Sequence, residues 1–155
     1  MLQYNRRRVG QIMLRDSQTG LYREEYFKEF LALAKKRFER SEGPAFLMLA
    51  DLSAFTDVSE RQKVAKSMID SLSAVTRDTD VKGWFVEGLV IGIMFTEMAG
   101  KAAISRFAQR KVVNKCLGCL QSHLGVKTFS RIQISWQSVQ TGCILEFRDV
   151  SMGSF

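Results

Sequence analysis

The sequence predicts an α+β fold: a ferredoxin-like βαββαβ antiparallel sheet with helices packed on it, an N-terminal helical extension and an extra C-terminal strand. Three observations carry this. Short apolar runs of strand length alternate with longer segments whose apolar residues recur at helical spacing. Two pairs of strand-like runs are joined by hairpin signals, Glu87-Gly88 and Gln140-Thr141-Gly142. After the first long helix the order reads β-α-β-β-α-β.

Residues 1–15 read as a helical lead-in, with Val9, Ile12 and Met13 on one side, and 16–155 as a single domain. Over 23–41, Tyr26, Phe27, Phe30, Leu31, Leu33, Ala34 and Phe38 recur at the spacing of an amphipathic helix, which Ser41-Glu42-Gly43-Pro44 ends. A short apolar strand, 45–50, runs into Asp51. Val64, Met68, Ile69, Leu72 and Val75 mark a helix over 58–75, about five turns at 3.6 residues each. Residues 81–86 and 89–95 form the first hairpin. A second long helix covers 100–124, with Gly125 where a C-terminal cap belongs. Strands at 129–139 and 143–150 complete the reading, and the last of them offers an edge for pairing with another chain.

The 155 residues suffice for one domain and are too few for two. Hydrophobic residues at 46% and charged residues at 25% are ordinary for a soluble globular protein. The longest apolar run, 88–95, is a buried strand and far short of a membrane span. An opening without a charged-then-apolar leader and an odd number of cysteines both point to the cytoplasm. The net charge of +7 suits anionic partners, but Arg6-Arg7-Arg8 is the only triple and Lys35-Lys36-Arg37 lies on a predicted helix. Without interleaved aromatics these read as solvated faces, so specific nucleic-acid binding is not expected.

Several short motifs occur in order. Asp16-Ser17-Gln18-Thr19-Gly20-Leu21-Tyr22-Arg23 opens the first helix and is followed by Tyr26-Phe27. Asp51-Leu52-Ser53-Ala54-Phe55-Thr56 closes the first strand, Arg77-Asp78-Thr79-Asp80 follows the second helix, and Val86-Glu87-Gly88-Leu89-Val90 forms the hairpin. In this order and spacing the chain resembles the GGDEF domain of bacterial diguanylate cyclases over residues 14–139. That family opens with Asp-x-Leu-Thr-Gly-Leu-x-Asn-Arg, ends its first strand in Asp-x-Asp-x-Phe-Lys, and carries Arg-x-x-Asp a fixed step before the GG(D/E)EF turn.

The resemblance implies magnesium-dependent chemistry on GTP, with Asp51 and the Leu52 carbonyl at metal positions. The departures imply its loss. The hairpin carboxylate that should face Asp51 is Gly88, and the following Glu is Leu89. Two magnesium ions need oxygen ligands from adjacent elements, and one carboxylate cannot clamp both. Glu87 is one position away, which in a hairpin aims its side chain at the other face. Val86 and Glu87 replace the paired glycines. Ser59 stands where the family's guanine-reading Asn lies, and the connection from Phe55 to the helix is shortened. Asp51 is therefore a vestigial metal position, with no catalytic residue and no cofactor expected.

Arg77 and Asp80 match the family's inhibitory cyclic di-GMP site, where Arg grips phosphate or a guanine edge and Asp accepts from guanine N–H groups. The plainer reading is a surface pair capping a turn. Cys116, Cys119 and His123 share one helical face, but one helix cannot surround a tetrahedral ion, and Cys143 is the only fourth candidate. The cysteines read as small apolar residues facing the sheet, and His123 as a surface or C-cap residue. Trp84 and Phe85 replace an Arg and an aromatic before the turn and read as core, with a partner-binding patch as the sharper alternative. Trp136 reads as structural. The functional expectation is a catalytically inactive, regulatory or protein-interacting GGDEF-like domain in bacterial signalling, with a protein partner or a second copy of itself. A cyclic di-GMP receptor and a nucleotidyltransferase with altered metal ligands are the two alternatives.

Overall fold

The computed structural model describes residues 14–40, 45–95 and 106–139. Its elements are α1 (Glu24–Glu39), β1 (Ala45–Asp51), α2 (Val58–Leu72), β2 (Val81–Val86), β3 (Val90–Phe95), α3 (Arg106–Leu124), α4 (Val126–Ser130) and β4 (Gln133–Val139). The four strands make one sheet in the order β2-β3-β1-β4, with every neighbouring pair antiparallel. This is the α+β sheet with packed helices that the element order predicts.

Alternation along the central strands decides which helix covers which face. Phe46, Met48 and Ala50 of β1, with Ile91, Ile93 and Phe95 of β3, pack against Val64, Ala65, Met68 and Leu72 of α2 and Val113, Cys116 and Leu120 of α3. Leu47, Leu49, Val90 and Met94 point the other way, onto Phe27, Leu31 and Ala34 of α1. So the two crossover helices share one face and α1 covers the opposite one. The fit of α1 depends on a paired cross-strand gap. Gly83 and Gly92 sit opposite each other in the β2–β3 register. A Cβ on Gly83 would lie 2.7 Å from the Phe27 ring, and one on Gly92 2.4 Å from it. The two glycines make the hollow that the buried Phe27 fills.

Four boundaries differ from the sequence expectation. The α2 helix stops at Leu72 rather than at 75, because Val75 and Thr76 both turn their N–H groups back to the Leu72 carbonyl. Leu89 belongs to the hairpin turn, so β3 starts at Val90. The segment expected to begin a strand at 129 is the end of α4, and β4 starts at Gln133. Gly125, at φ +79°, redirects the chain after α3, and Phe129 donates its N–H to the Gly125 carbonyl while its ring enters the core. An aromatic that reads as strand-forming is thus buried from one helical turn. The fourth is α1, which runs Glu24–Glu39. Residues 1–13 of the helical lead-in expected over 1–15, the start of the second long helix at 100–105, the 140–142 hairpin and the 143–150 strand lie outside the described residues, whereas Arg15 forms an antiparallel β-bridge with Tyr22. Among the described residues no helix is long and apolar enough to cross a membrane.

Candidate functional site

One end of the sheet gathers the C-terminus of β1, the loop 52–57, the N-terminus of α2 and the β2–β3 turn. Asp51 is the last residue of β1, opposite Val90 on β3 and Gln133 on β4. It is half-buried, and its Oδ1 accepts the Ser53 N–H at 2.8 Å. The Leu52 N–H donates to the Leu89 carbonyl at 2.8 Å, tying the loop to the hairpin. Asp57 is the N-cap of α2, and its carboxylate accepts the Ser59 N–H at 3.3 Å. Ser59 itself is exposed.

The hairpin closes through Leu89 N–H to Val86 O at 2.9 Å, with Gly88 at φ +75°. A Cβ on Gly88 would meet nothing within 4 Å, so the backbone angle and not a lack of space calls for glycine there. Glu87 faces the first turn of α1. Its Oε2 accepts the Glu24 N–H at 2.9 Å, and Glu24 Oε1 accepts the Glu87 N–H at 2.9 Å. Glu87 therefore satisfies one of the orphan donors at the start of α1, where a carboxylate also suits the helix dipole.

Two arginines outside the sequence motifs complete this end. Arg61 of α2 donates from Nε to the Gly88 carbonyl and from Nη1 to the Phe55 carbonyl, both at 2.8 Å. Arg131 donates to the Ala54 carbonyl at 3.0 Å, lies 4.3 Å over the Phe55 ring and pairs with Glu60 at 3.3 Å. The loop 52–57 is thus held between two guanidinium groups. A sequence signal for Arg61 does exist: a cation near the start of a helix opposes its macrodipole, so it needs another reason to be there. Among the described residues no three His, Cys, Asp or Glu side chains converge in a way that could hold a metal ion.

Arg77 and Asp80 lie at the other end of β2, about 20 Å away at 3.3 Å per strand residue. Asp80 Oδ2 accepts the Arg77 N–H at 2.8 Å and the Asp80 N–H donates to the Arg77 carbonyl at 3.0 Å. The structure thus joins the pair within one turn, with Arg77 exposed and Asp80 half-buried. It does not bring them to Asp51 or to the 86–90 turn.

The Asp16–Leu21 motif forms a tight loop on the β2 edge. The Asp16 carboxylate accepts from Gln18 N–H at 3.0 Å, Thr19 Oγ1 at 2.9 Å and Trp84 Nε1 at 3.3 Å. Tyr22 then bridges β2 at Gly83, taking the Trp84 N–H at 2.8 Å. Trp84 is buried, and Phe85 lies beneath Lys28, whose Nζ is 4.8 Å from the ring centre. Trp136 stacks on Phe46 with centroids 5.5 Å apart.

Cys116 is buried in the core, and burial, helped by neighbouring Cys119 and Asp80, pushes its thiol up to about 12. Cys119 donates from Sγ to the Ser71 carbonyl at 2.9 Å, and His123 directs Nδ1 at the Cys119 carbonyl at 2.9 Å. Both groups are engaged with backbone, as two small residues and a helix-end histidine would be.

No protein-family model matches the chain, and no curated protein matches its sequence. Solved structures do. The GGDEF domain of FimX from Pseudomonas aeruginosa superposes with a TM-score of 0.63 at 12% identity, covering 84% of this chain and 83% of that one. The coiled coil and GGDEF domain of DgcB from Caulobacter crescentus, in complex with c-di-GMP, gives 0.65 at 13%, over 88% and 74%. The diguanylate cyclase SiaD from Pseudomonas aeruginosa, in complex with its activator SiaC, gives 0.63 at 14%, over 93% of this chain and 56% of SiaD. The chain has the fold of GGDEF domains, and it spans little more than half of SiaD.

Proposed function

We propose that this chain is a catalytically inactive GGDEF-like domain acting in bacterial cyclic di-GMP signalling as a regulatory or protein-interaction module. The observation that carries the reading is the hairpin turn. Gly88 stands at the position of the metal carboxylate, and its carbonyl accepts from Arg61. Glu87, the nearest carboxylate, is hydrogen-bonded to α1. Asp51 directs one oxygen at Ser53. These residues do not fit a two-magnesium clamp, which needs carboxylates from both the strand end and the hairpin. No cofactor is assigned, and the reading places the domain in the cytoplasm with a protein partner or a second copy of itself.

The test is incubation of the full chain with GTP or ATP and magnesium or manganese, followed by chromatography. No nucleotide product is expected. Turnover that Asp51→Ala abolishes would replace this reading with that of a nucleotidyltransferase with altered ligands.

A second reading, reception of cyclic di-GMP at Arg77 and Asp80, is favoured by one observation. The Asp80 carboxylate and the Arg77 backbone are bonded within a single turn, which holds both side chains at one end of β2. Calorimetry with cyclic di-GMP tests it: heat that Arg77→Ala removes supports a receptor, and no heat at high micromolar ligand sinks it.

A further inference from the structure

We infer that the outer face of α3 is a docking surface for an acidic helix of a different protein. The inference rests on the proposed reading as an interaction module and names its face and partner chemistry. It starts from charge distribution. Between residues 98 and 145 the sequence has no Asp or Glu and seven Lys and Arg, while the formal charge of the whole chain is +7. The entire net charge therefore belongs to this one segment, and the rest of the chain balances.

Among the described residues, part of this charge is exposed on the outer side of α3. Val113, Cys116 and Leu120 bury the inner face of α3, which leaves Arg110, Asn114, Lys115, Gly118, Gln121 and Ser122 exposed. Lys127 of α4 is exposed beside it. Neighbouring α2 pairs its Glu60 with one of the seven, Arg131, and its Asp70 with its own Lys66.

Gly118 adds a feature that charge alone does not explain. Glycine inside a helix costs about 1 kcal/mol relative to alanine. A Cβ there would meet nothing within 4 Å, so the domain's own packing does not call for glycine. A bare helix surface flanked by Asn114, Gln121 and Ser122 lets a second backbone approach closely, with polar side chains on either side to bond it. That is a protein contact. A bilayer would read only the charge, and Val126 of α4 is the one large apolar side chain exposed beside the described patch. Single-stranded nucleic acid would look for aromatic platforms, whereas Phe129 and Trp136 are buried. A second copy of this chain would bring a patch of the same sign if the two met face to face, which disfavours a symmetric contact.

The experiment is a titration of the isotopically labelled full chain with a synthetic helical peptide bearing a continuous glutamate face, followed by amide NMR shifts. Shifts should map to residues 110–122 and weaken as salt is raised, since screening shortens the reach of exposed charges. Arg110→Glu/Lys115→Glu should weaken binding about tenfold or more. Both positions are exposed, so the melting temperature checks that the variant is folded, and the wild-type salt series stands if it is not. Gly118→Leu leaves the charge unchanged and should still weaken binding about fivefold, through loss of close approach. Shifts confined to α1, unchanged binding by Gly118→Leu, or binding to phosphatidylglycerol vesicles or duplex DNA in place of the peptide would each overturn the inference. None of these would touch the reading of an inactive domain, which the nucleotide-turnover assay tests separately.

Discussion

The two ends of β2 treat their charged groups in opposite ways. At the hairpin end, charge is turned inward. Arg61 binds the Gly88 and Phe55 carbonyls, and Glu87 and Glu24 each accept the other's backbone N–H. At the other end, the Asp80 carboxylate accepts the Arg77 N–H within a single turn, and Arg77 is exposed. The first arrangement ties three elements together, α1, α2 and the hairpin. The second ties four residues. Side chains at the hairpin end should therefore act mainly on stability, and those at the Arg77 end mainly on any ligand.

The largest effect is expected at Arg61. Arg61→Ala leaves two carbonyls without their charged donor and should cost about 1–3 kcal/mol by chemical denaturation, with faster hydrogen exchange at 86–90. Arg61→Lys should recover little of this, because an ammonium lacks the fork that reaches two carbonyls. A neutral outcome would remove the contrast between the ends.

Glu87→Ala comes next, at about 0.5–1.5 kcal/mol, and Glu87→Gln should recover most of it because an amide oxygen still accepts the Glu24 N–H. At the opposite end, Asp80→Ala removes the acceptor of the Arg77 N–H and should cost about 0.5–1.5 kcal/mol. If cyclic di-GMP binds, that same change should abolish its calorimetric signal.

The smallest effect, absent at neutral pH, concerns Cys116. Its folded thiol lies at about 12 against an ordinary 9.0. A raised value favours the protonated thiol in the folded state. That stability is fully present below pH 9.0 and is lost as pH rises from 9.0 to about 12, when the unfolded chain ionises first. Urea midpoints should be flat to pH 8.5 or so on this account and fall above it, and Cys116→Ala should remove that part of the fall.

Much of the fold is legible in the sequence because it rests on local periodicity. Val64, Met68 and Leu72 announce α2, and the apolar runs around Leu47 and Ile91 announce the two central strands. The face taken by α1 is not legible. It depends on Gly83 and Gly92 meeting across two strands to admit Phe27, a coincidence that only register creates. The start of β4 at Gln133 is not legible for a related reason: Phe129 is core-forming in a helical turn as well as in a strand.

The candidate site divides in the same way. That the hairpin carries Gly88 and Leu89, with Glu87 just before them, can be read directly from the chain. What holds the site together cannot. Arg61 contacts a residue 27 positions away, and Arg131 reaches Ala54 across 77. No motif spans such distances. Only the dipole-opposing position of Arg61 gives a local hint.

Hydrogen exchange of the wild-type chain with and without millimolar magnesium–GTP tests the central claim most directly. The account predicts unchanged exchange over 51–57 and 86–90, because internal side chains already hold that end. Protection that appears there with magnesium–GTP and is lost in Asp51→Ala would contradict it.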